Sequence, residues 1–256
     1  SNLSFSVSGN ELQITNDGIL SFVSAPDYET KATFTEIVSA NDGYNLSTQD
    51  ITININNINE APVFSSSSVS FNVAENQAAI GTVTATDPDS PPSGSRDTIS
   101  YSILGGQGIL VSETGVLSFQ TFGAYSAPDY ENKNFYTTTV TASDGILSDS
   151  INIEINITNI NDNSPAITSS ATFSAAENQT AIGTVTATDA DGDDVTFTVS
   201  GSELSITSAG VLTFTSAPDY ETNSTYTATI TANDGANITT QDITVNVTDV
   251  DENVDT

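Results

Sequence analysis

Along most of the chain apolar and polar residues alternate with a period of two. The clearest run is Ile151-Asn152-Ile153-Glu154-Ile155-Asn156-Ile157, and Ile51 to Ile55 and Ile243 to Val247 repeat the pattern. Such alternation puts one face of a strand in a core and the other in water, as antiparallel sheets do. Thr, Val and Ile dominate these runs and suit a pleated, half-buried surface, whereas no comparable stretch carries the 3.6-residue spacing of an amphipathic helix. Turn-forming groups such as Asn16-Asp17-Gly18, Glu113-Thr114-Gly115 and Asp191-Gly192 cut the strands short. The pattern predicts an all-β chain, with about seven short strands per ~100 residues folded as Greek-key β-sandwiches.

The chain also repeats itself. Ser24-Ala25-Pro26-Asp27-Tyr28-Glu29 recurs 102 residues later at Ser126 to Glu131, and 90 residues after that at Ser216 to Glu221. Ala74-Glu75-Asn76-Gln77 returns as Ala176 to Gln179, and Ile80 to Asp87 returns unchanged as Ile182 to Asp189. Extra residues around Ser90 to Arg96 and Gln120 to Tyr125, loop-like in composition, account for the longer first offset. Three repeats follow: a partial one at 1–60 and full ones at 61–162 and 163–256. Phe5 aligns with Phe197, so the first repeat is expected to lack its opening strands, which a longer parent array or a partner strand would supply.

Composition narrows the chemistry. Against 33 Asp and Glu stand only Lys31, Arg96 and Lys133, a formal net charge of -30. Such a surface repels phosphate backbones and anionic membrane faces, which argues against nucleic acid and membrane partners. There is no His and no Cys, so imidazole catalysis, thiol chemistry, disulfides and the common zinc sites fall away. No apolar run approaches the ~18–20 residues of a membrane span, and Ser1-Asn2-Leu3 carries no secretion-signal pattern, as expected of a soluble fragment or a processed chain.

Most of the acids sit at positions that repeat, including Asp42, Asp144 and Asp234, each followed by Gly. An isolated Asp-x-Asp or Asp-Gly is most often a turn. Here, however, acids one residue apart, such as Asp27/Glu29 and Asp87/Asp89, stand at inferred strand ends where both can converge on one point. Like charges so placed repel unless a cation lies between them, and three basic residues cannot supply it. A hard divalent ion with oxygen ligands is the economical answer, and calcium suits a crowded, flexible cage better than magnesium.

The order Ala-Glu-Asn, Ala-Thr-Asp-x-Asp, Thr-Gly-x-Leu (Thr114 to Leu117), Asp-Tyr-Glu, Ala-x-Asp-Gly, Asn-x-Asn-Asp-Asn-x-Pro resembles the extracellular cadherin repeat over essentially the whole chain. Its Thr/Asn/Ser-rich style and lack of Cys are more similar to microbial cadherin-like proteins than to animal ones. The resemblance implies tandem cadherin- or immunoglobulin-like seven-stranded β-sandwiches in an extended rod, with calcium at each junction. At the second junction it implies Glu75, Asp129 and Glu131 from upstream, Asn159, Asn161, Asp162 and Asn163 from the linker, and Asp189, Asp191 and Asp234 from downstream. At the first it implies Asp27, Glu29, Asn57, Asn59, Glu60, Asp87, Asp89 and Asp144, with Asn59 offering its backbone carbonyl.

The first junction departs from the family pattern: Ala61 replaces the last linker Asn, and the upstream Glu is absent, so weaker or fewer ions are expected there. Asn57 and Asn159 replace the usual first Asp of both linkers, which lowers ligand charge. Glu177, Asp219, Glu221, Asp249, Asp251 and Glu252 would form half a site for a following repeat. The function implied is that of calcium-stiffened spacer and adhesion repeats of an extracellular, cell-surface adhesin or fibre, in contact with further repeats or like chains. A carbohydrate-binding module is the alternative. Sugars stack on exposed rings. Tyr28, Tyr130, Tyr220, Phe22, Phe119 and Phe214 recur and are expected in the core, which leaves Tyr44, Phe122 and Tyr125 as candidates. An enzyme ranks last, because a catalytic pair needs one cleft and unlike environments for its two acids.

Overall fold

The structure is a computed structural model and describes residues 3–89, 98–105, 107–123 and 126–252. The insertion at Ser90 to Arg96 with its cation Arg96, and the candidate ring Tyr125, lie outside the described residues.

The strands of the first sixty residues are β1 (Ser4–Val7), β2 (Leu12–Ile14), β3 (Leu20–Phe22), β4 (Thr33–Asn41) and β5 (Leu46–Asn54). Next come β6 (Val63–Phe64), β7 (Ser68–Ala74), β8 (Ala79–Thr82), β9 (Ala85–Thr86), β10 (Ser100–Leu104), β11 (Ile109–Val111), β12 (Val116–Phe119), β13 (Phe135–Ser143) and β14 (Ser148–Thr158). The last set is β15 (Ala166–Ile167), β16 (Thr172–Ala176), β17 (Ala181–Thr184), β18 (Ala187–Thr188), β19 (Thr196–Val199), β20 (Leu204–Ile206), β21 (Val211–Phe214), β22 (Thr225–Asn233) and β23 (Ile238–Thr248). Among the described residues there is no helix.

The chain divides into two compact units. One comprises Ser1–Phe71, Ala79–Gln120 and Thr137–Glu154, the other Asn72–Ala78, Thr121–Tyr136 and Ile155–Thr256. In the second unit a four-stranded sheet in the order β16-β23-β22-β19 and a three-stranded sheet, β17-β21-β20, make the expected set of seven, with the short pair β15-β18 in addition. The first strand, β16, runs parallel to the last, β23, with Phe173 opposite Val245. Residues from both sheets, among them Phe197, Leu212, Phe214, Ile230, Ile243 and Val245, form one buried core. In the middle of the chain the same plan recurs as β10-β13-β14-β7, β11-β12-β8 and β6-β9.

Alternation is realised residue by residue. In β14, Ile151, Ile153, Ile155 and Ile157 are buried while the residues between them face outward. Gly115 and Gly210 occupy left-handed turns where an added Cβ would lie 2.1 Å from the carbonyl oxygen of Val83 and 2.2 Å from that of Val185, so no side chain fits there. The first sixty residues are the exception to this closure. Their sheets are β1-β4-β5 and β2-β3, and among the described residues β5 is an edge strand with no counterpart of β7 or β16 beside it. Consequently Ile51 and Ile53 are only half-buried, although they read like Ile153 and Ile243 in sequence.

Candidate metal centres at the linkers

Each acidic motif is held by a local turn, and the turn decides which oxygens are left over. In the Asp-Tyr-Glu motif the first acid closes its own turn: Asp27 Oδ1 accepts from the Thr30 N–H (3.1 Å), Asp129 Oδ1 from Asn132 (3.0 Å), and Asp219 Oδ1 from Glu221 (3.0 Å). In Asp-x-Asp, the first acid accepts from the N–H of the second at 3.0 Å in both copies, Asp87 from Asp89 and Asp189 from Asp191. At the hairpin tips Asp42 accepts from Tyr44 and Asn45, Asp144 from Ile146 and Leu147, and Asp234 from Ala236 and Asn237, all at 2.6–2.8 Å. Such charge-assisted bonds to backbone N–H groups hold Asp27, Asp42 and Asp144 below the usual carboxylate range. Burial pushes Asp234 up, and the N–H groups of Asn237 and Ala236 overcome it, so that Asp234 too lies low.

Glu75 has the most constrained environment. It follows β7, is 1% exposed, and is succeeded by Asn76 in the left-handed region at φ 61°. Its Oε1 accepts from the Ile160 N–H at 2.7 Å and its Oε2 from the Tyr130 N–H at 2.8 Å. One carboxylate thus fastens the start of the linker to the Asp129-Tyr130-Glu131 turn. Glu177, 2% exposed, repeats the arrangement with Val250 (2.7 Å) and Tyr220 (2.9 Å). The following asparagines also match: Asn76 donates its side-chain amide to Asp162, and Asn178 to Glu252.

These turns bring carboxylates together. Oxygens of Glu75, Glu131, Asp162 and Asp191 lie within 4.8 Å of one another, as do those of Glu29, Glu60 and Asp89, of Glu177, Asp219 and Glu221, and of Asp189, Asp191 and Asp193. Burial, and then the charges of Glu75 and Asp191, push Glu131 up, while burial with Glu60, Asp89 and Asp27 does the same to Glu29. Asp191 is held low by the Asn163 side-chain amide, and its Oδ2 also accepts from the N–H groups of Asp162 (3.1 Å) and Asn163 (2.8 Å). In the first linker the Glu60 N–H donates to Asp89 Oδ2 at 2.5 Å, and Asn59 Nδ2 to Asp144 Oδ2 at 2.9 Å.

The other expected ligands flank these clusters. Asn159 donates to the Asp191 carbonyl at 2.8 Å, and Asn161 stands against the Asp234 tip. Asp87 is buried, Asn57 is exposed, and Asp249, Asp251 and Glu252 share a cleft with Asp219 and Glu221. The donor set fits a hard cation. Among the described residues, Asp89 Oδ1, Asp189 Oδ2 and Asp234 Oδ2 are buried oxygens with no hydrogen-bond partner, a costly state for a carboxylate that a bound cation would relieve. Nor does a lysine substitute: Lys31 pairs with Glu11 and lies 4.5 Å from the centre of the Phe34 ring, and Lys133 lies 4.2 Å from that of Tyr136.

Three features escape sequence reasoning. Asp193 joins Asp189 and Asp191, a spacing signal of alternate acids that the sequence does display. Asn76 and Asn178 are betrayed only by their fixed place after a repeated Glu. Asn237 differs between repeats and gives no signal. The aromatics need correction. Phe119 and Phe214 are core residues and Phe22 and Tyr130 are half-buried, but Tyr28 (39%) and Tyr220 (38%) are exposed; at Tyr130 and Tyr220 the motif uses the tyrosine N–H as a donor to a buried Glu. Tyr44 and Phe122 are exposed, at 91% and 65%.

Comparison with known proteins agrees with this architecture. The bacterial Ig domain family matches residues 161–248. The protocadherin-like wing polarity protein stan of Drosophila melanogaster is 30% identical over 263 residues, 89% of this chain and 7% of the relative. Mouse protocadherin Fat 4 is 32% identical over 228 residues, 81% of this chain and 4% of the relative, so the chain spans only a small part of either. Among solved structures, repeats EC22–24 of mouse cadherin-23 superpose with a TM-score of 0.68 at 23% identity, covering 97% of this chain and 87% of that one. The human desmocollin-1 ectodomain gives 0.66 at 21%, covering 98% and 56%.

Proposed function

We propose that this run of cadherin-type β-sandwich repeats is a calcium-stiffened segment of an extracellular adhesion protein, with repeats at 1–60, 61–162 and 163–256 and metal at the linkers between them. The observation that carries the reading is the convergence of Glu75, Glu131, Asp162 and Asp191 within 4.8 Å, together with buried carboxylate oxygens of Asp189 and Asp234 that have no hydrogen-bond partner among the described residues. At the second linker Glu75, Asp129, Glu131, Asn159, Asn161, Asp162, Asn163, Asp189, Asp191 and Asp234 would hold calcium. The first would use Asp27, Glu29, Asn57, Asn59, Glu60, Asp87, Asp89 and Asp144. Calcium supplies the double positive charge that makes such groups of acids tolerable.

The chain's own residues do the rest. Glu75 fixes the linker start, and the turns at Asp129, Asp189 and Asp234 aim their free oxygens. Asp162 and Asn163 bind the linker to Asp191. Without a cation the clustered acids repel and the linkers can bend; with ligands from both sides tied to the same ions they stiffen. Acids recurring in copy after copy suit repeated metal sites, not a single catalytic cleft, and cadherin-type repeats are non-catalytic modules. The cell surface is where the related ectodomains work, and further repeats or like chains are the partners this chemistry suits.

The test is small-angle scattering and thermal melting with millimolar calcium and with chelator. A longer, stiffer particle and a higher melting temperature with calcium are expected, because a ligand that binds only the native state stabilises it. Identical dimensions and melting in the two conditions would refute the reading.

A further inference from the structure

The hairpin tips at Asp144 and Asp234 make the same backbone turn but attach differently to their linkers. At the second, the Asn237 N–H closes the turn on Asp234 Oδ1 at 2.6 Å. Its side-chain amide nitrogen then donates twice to the linker, to Asn161 Oδ1 at 2.9 Å and to the Asn163 carbonyl at 3.2 Å. Both of these acceptors are neutral, and Asp234 Oδ2 stays buried without a hydrogen-bond partner among the described residues. At the first tip the corresponding residue is Leu147, which offers no side-chain donor. There the linker is attached through Asn59 Nδ2, and the acceptor is Asp144 Oδ2, a carboxylate oxygen that a cation would need.

We propose that Asn237 is a positioning residue: a neutral amide latch that holds Asn161 to Asn163 in place before metal arrives while leaving Asp234 Oδ2 open. The first linker is the opposite case: among the described residues its side-chain attachment to the tip, Asn59 Nδ2 to Asp144 Oδ2, occupies the ligand oxygen and must be exchanged for calcium. The inference rests on the calcium reading for its purpose, but the latch itself needs no metal.

The test uses the full chain, wild type and two variants, Asn237→Leu and Leu147→Asn, each carrying the residue that the other tip already bears. In chelated protein, hydrogen exchange of the Asp162 and Asn163 amides should accelerate about 5-fold or more in Asn237→Leu, the worth of about one hydrogen bond. Amides of the β23 core residues Ile243 and Val245 should not change, which separates positioning from general destabilisation. Calcium affinity at the second linker should fall by about the same factor with the first linker unmoved, and Leu147→Asn should tighten the first. Unchanged exchange at Asp162 and Asn163 would overturn the latch, and altered exchange with unaltered calcium affinity would overturn its positioning role. Should Asn237→Leu lose core protection, Leu147→Asn decides: no gain in affinity at the first linker overturns the proposal. A wild-type chain that binds no calcium would refute the calcium reading, and the metal-free exchange measurement tells that failure from failure of the latch.

Discussion

Residues 57–61 and 159–163 are two copies of one linker, and they differ in how much of their geometry exists without metal. The second copy has Glu75 with both oxygens filled by N–H donors, Asn163 donating to both oxygens of Asp191 through its backbone and side chain, and the amide of Asn237 on the linker. Among the described residues the first copy has no buried glutamate, Ala61 in place of Asn163, and Leu147 in place of Asn237. Yet both copies gather their acids within the same 4.8 Å. Convergence is therefore the work of the short turns, which the two share, whereas the bracing is separate: among the described residues the first linker keeps the Glu60 bond to Asp89 and the Asn59 bond to Asp144, and the second adds the Glu75, Asn163 and Asn237 bonds.

The comparison can be broken most forcefully at Glu75. Glu75→Ala strands the N–H groups of Ile160 and Tyr130, each costing about 1–3 kcal/mol when buried and unpaired. A loss of roughly 3–5 kcal/mol in urea unfolding is expected, about half that for Glu75→Gln, and little for Glu29→Ala, which is exposed. Calcium removal comes next. At a hundredfold excess over Kd each site should contribute about 2.7 kcal/mol, so chelation should lower the melting temperature and deprotect linker amides, the first linker's before the second's, as hydrogen exchange would register.

Ala61→Asn sharpens the contrast from the other side. It restores a donor to Asp89 and should raise calcium affinity at the first linker about fivefold, roughly 1 kcal/mol, in isothermal titration calorimetry. The smallest effect is that of pH on calcium-free protein. Glu29 and Glu131 are raised in the folded state, so their favourable contribution is present at low pH and lost as pH rises through their folded values. Acidification from neutral toward their range should raise the melting temperature slightly. Further acidification should lower it as Asp27, Asp144 and Asp234, held below the ordinary range, take up protons.

The sandwiches were legible because burial in a strand follows alternation: Ile151 to Ile157 reads in sequence as it packs in β14. The acids were legible because they repeat. What could not be read is which oxygen of each acid remains free, since an Asp that closes a turn and an Asp that faces a cluster carry the same letter. Tyr220 misleads for a related reason, as its repetition reflects a backbone donor to the buried Glu177 while its ring is exposed. Asn237 was invisible because its partners, Asn161 and Asn163, lie more than seventy residues away.

The most direct test of the account is an anomalous-difference map from crystals grown in millimolar calcium. It should show peaks among Glu75, Glu131, Asp162 and Asp191, and weaker ones among Glu29, Glu60 and Asp89. A map at the same calcium concentration with no peak among the first four carboxylates would contradict it.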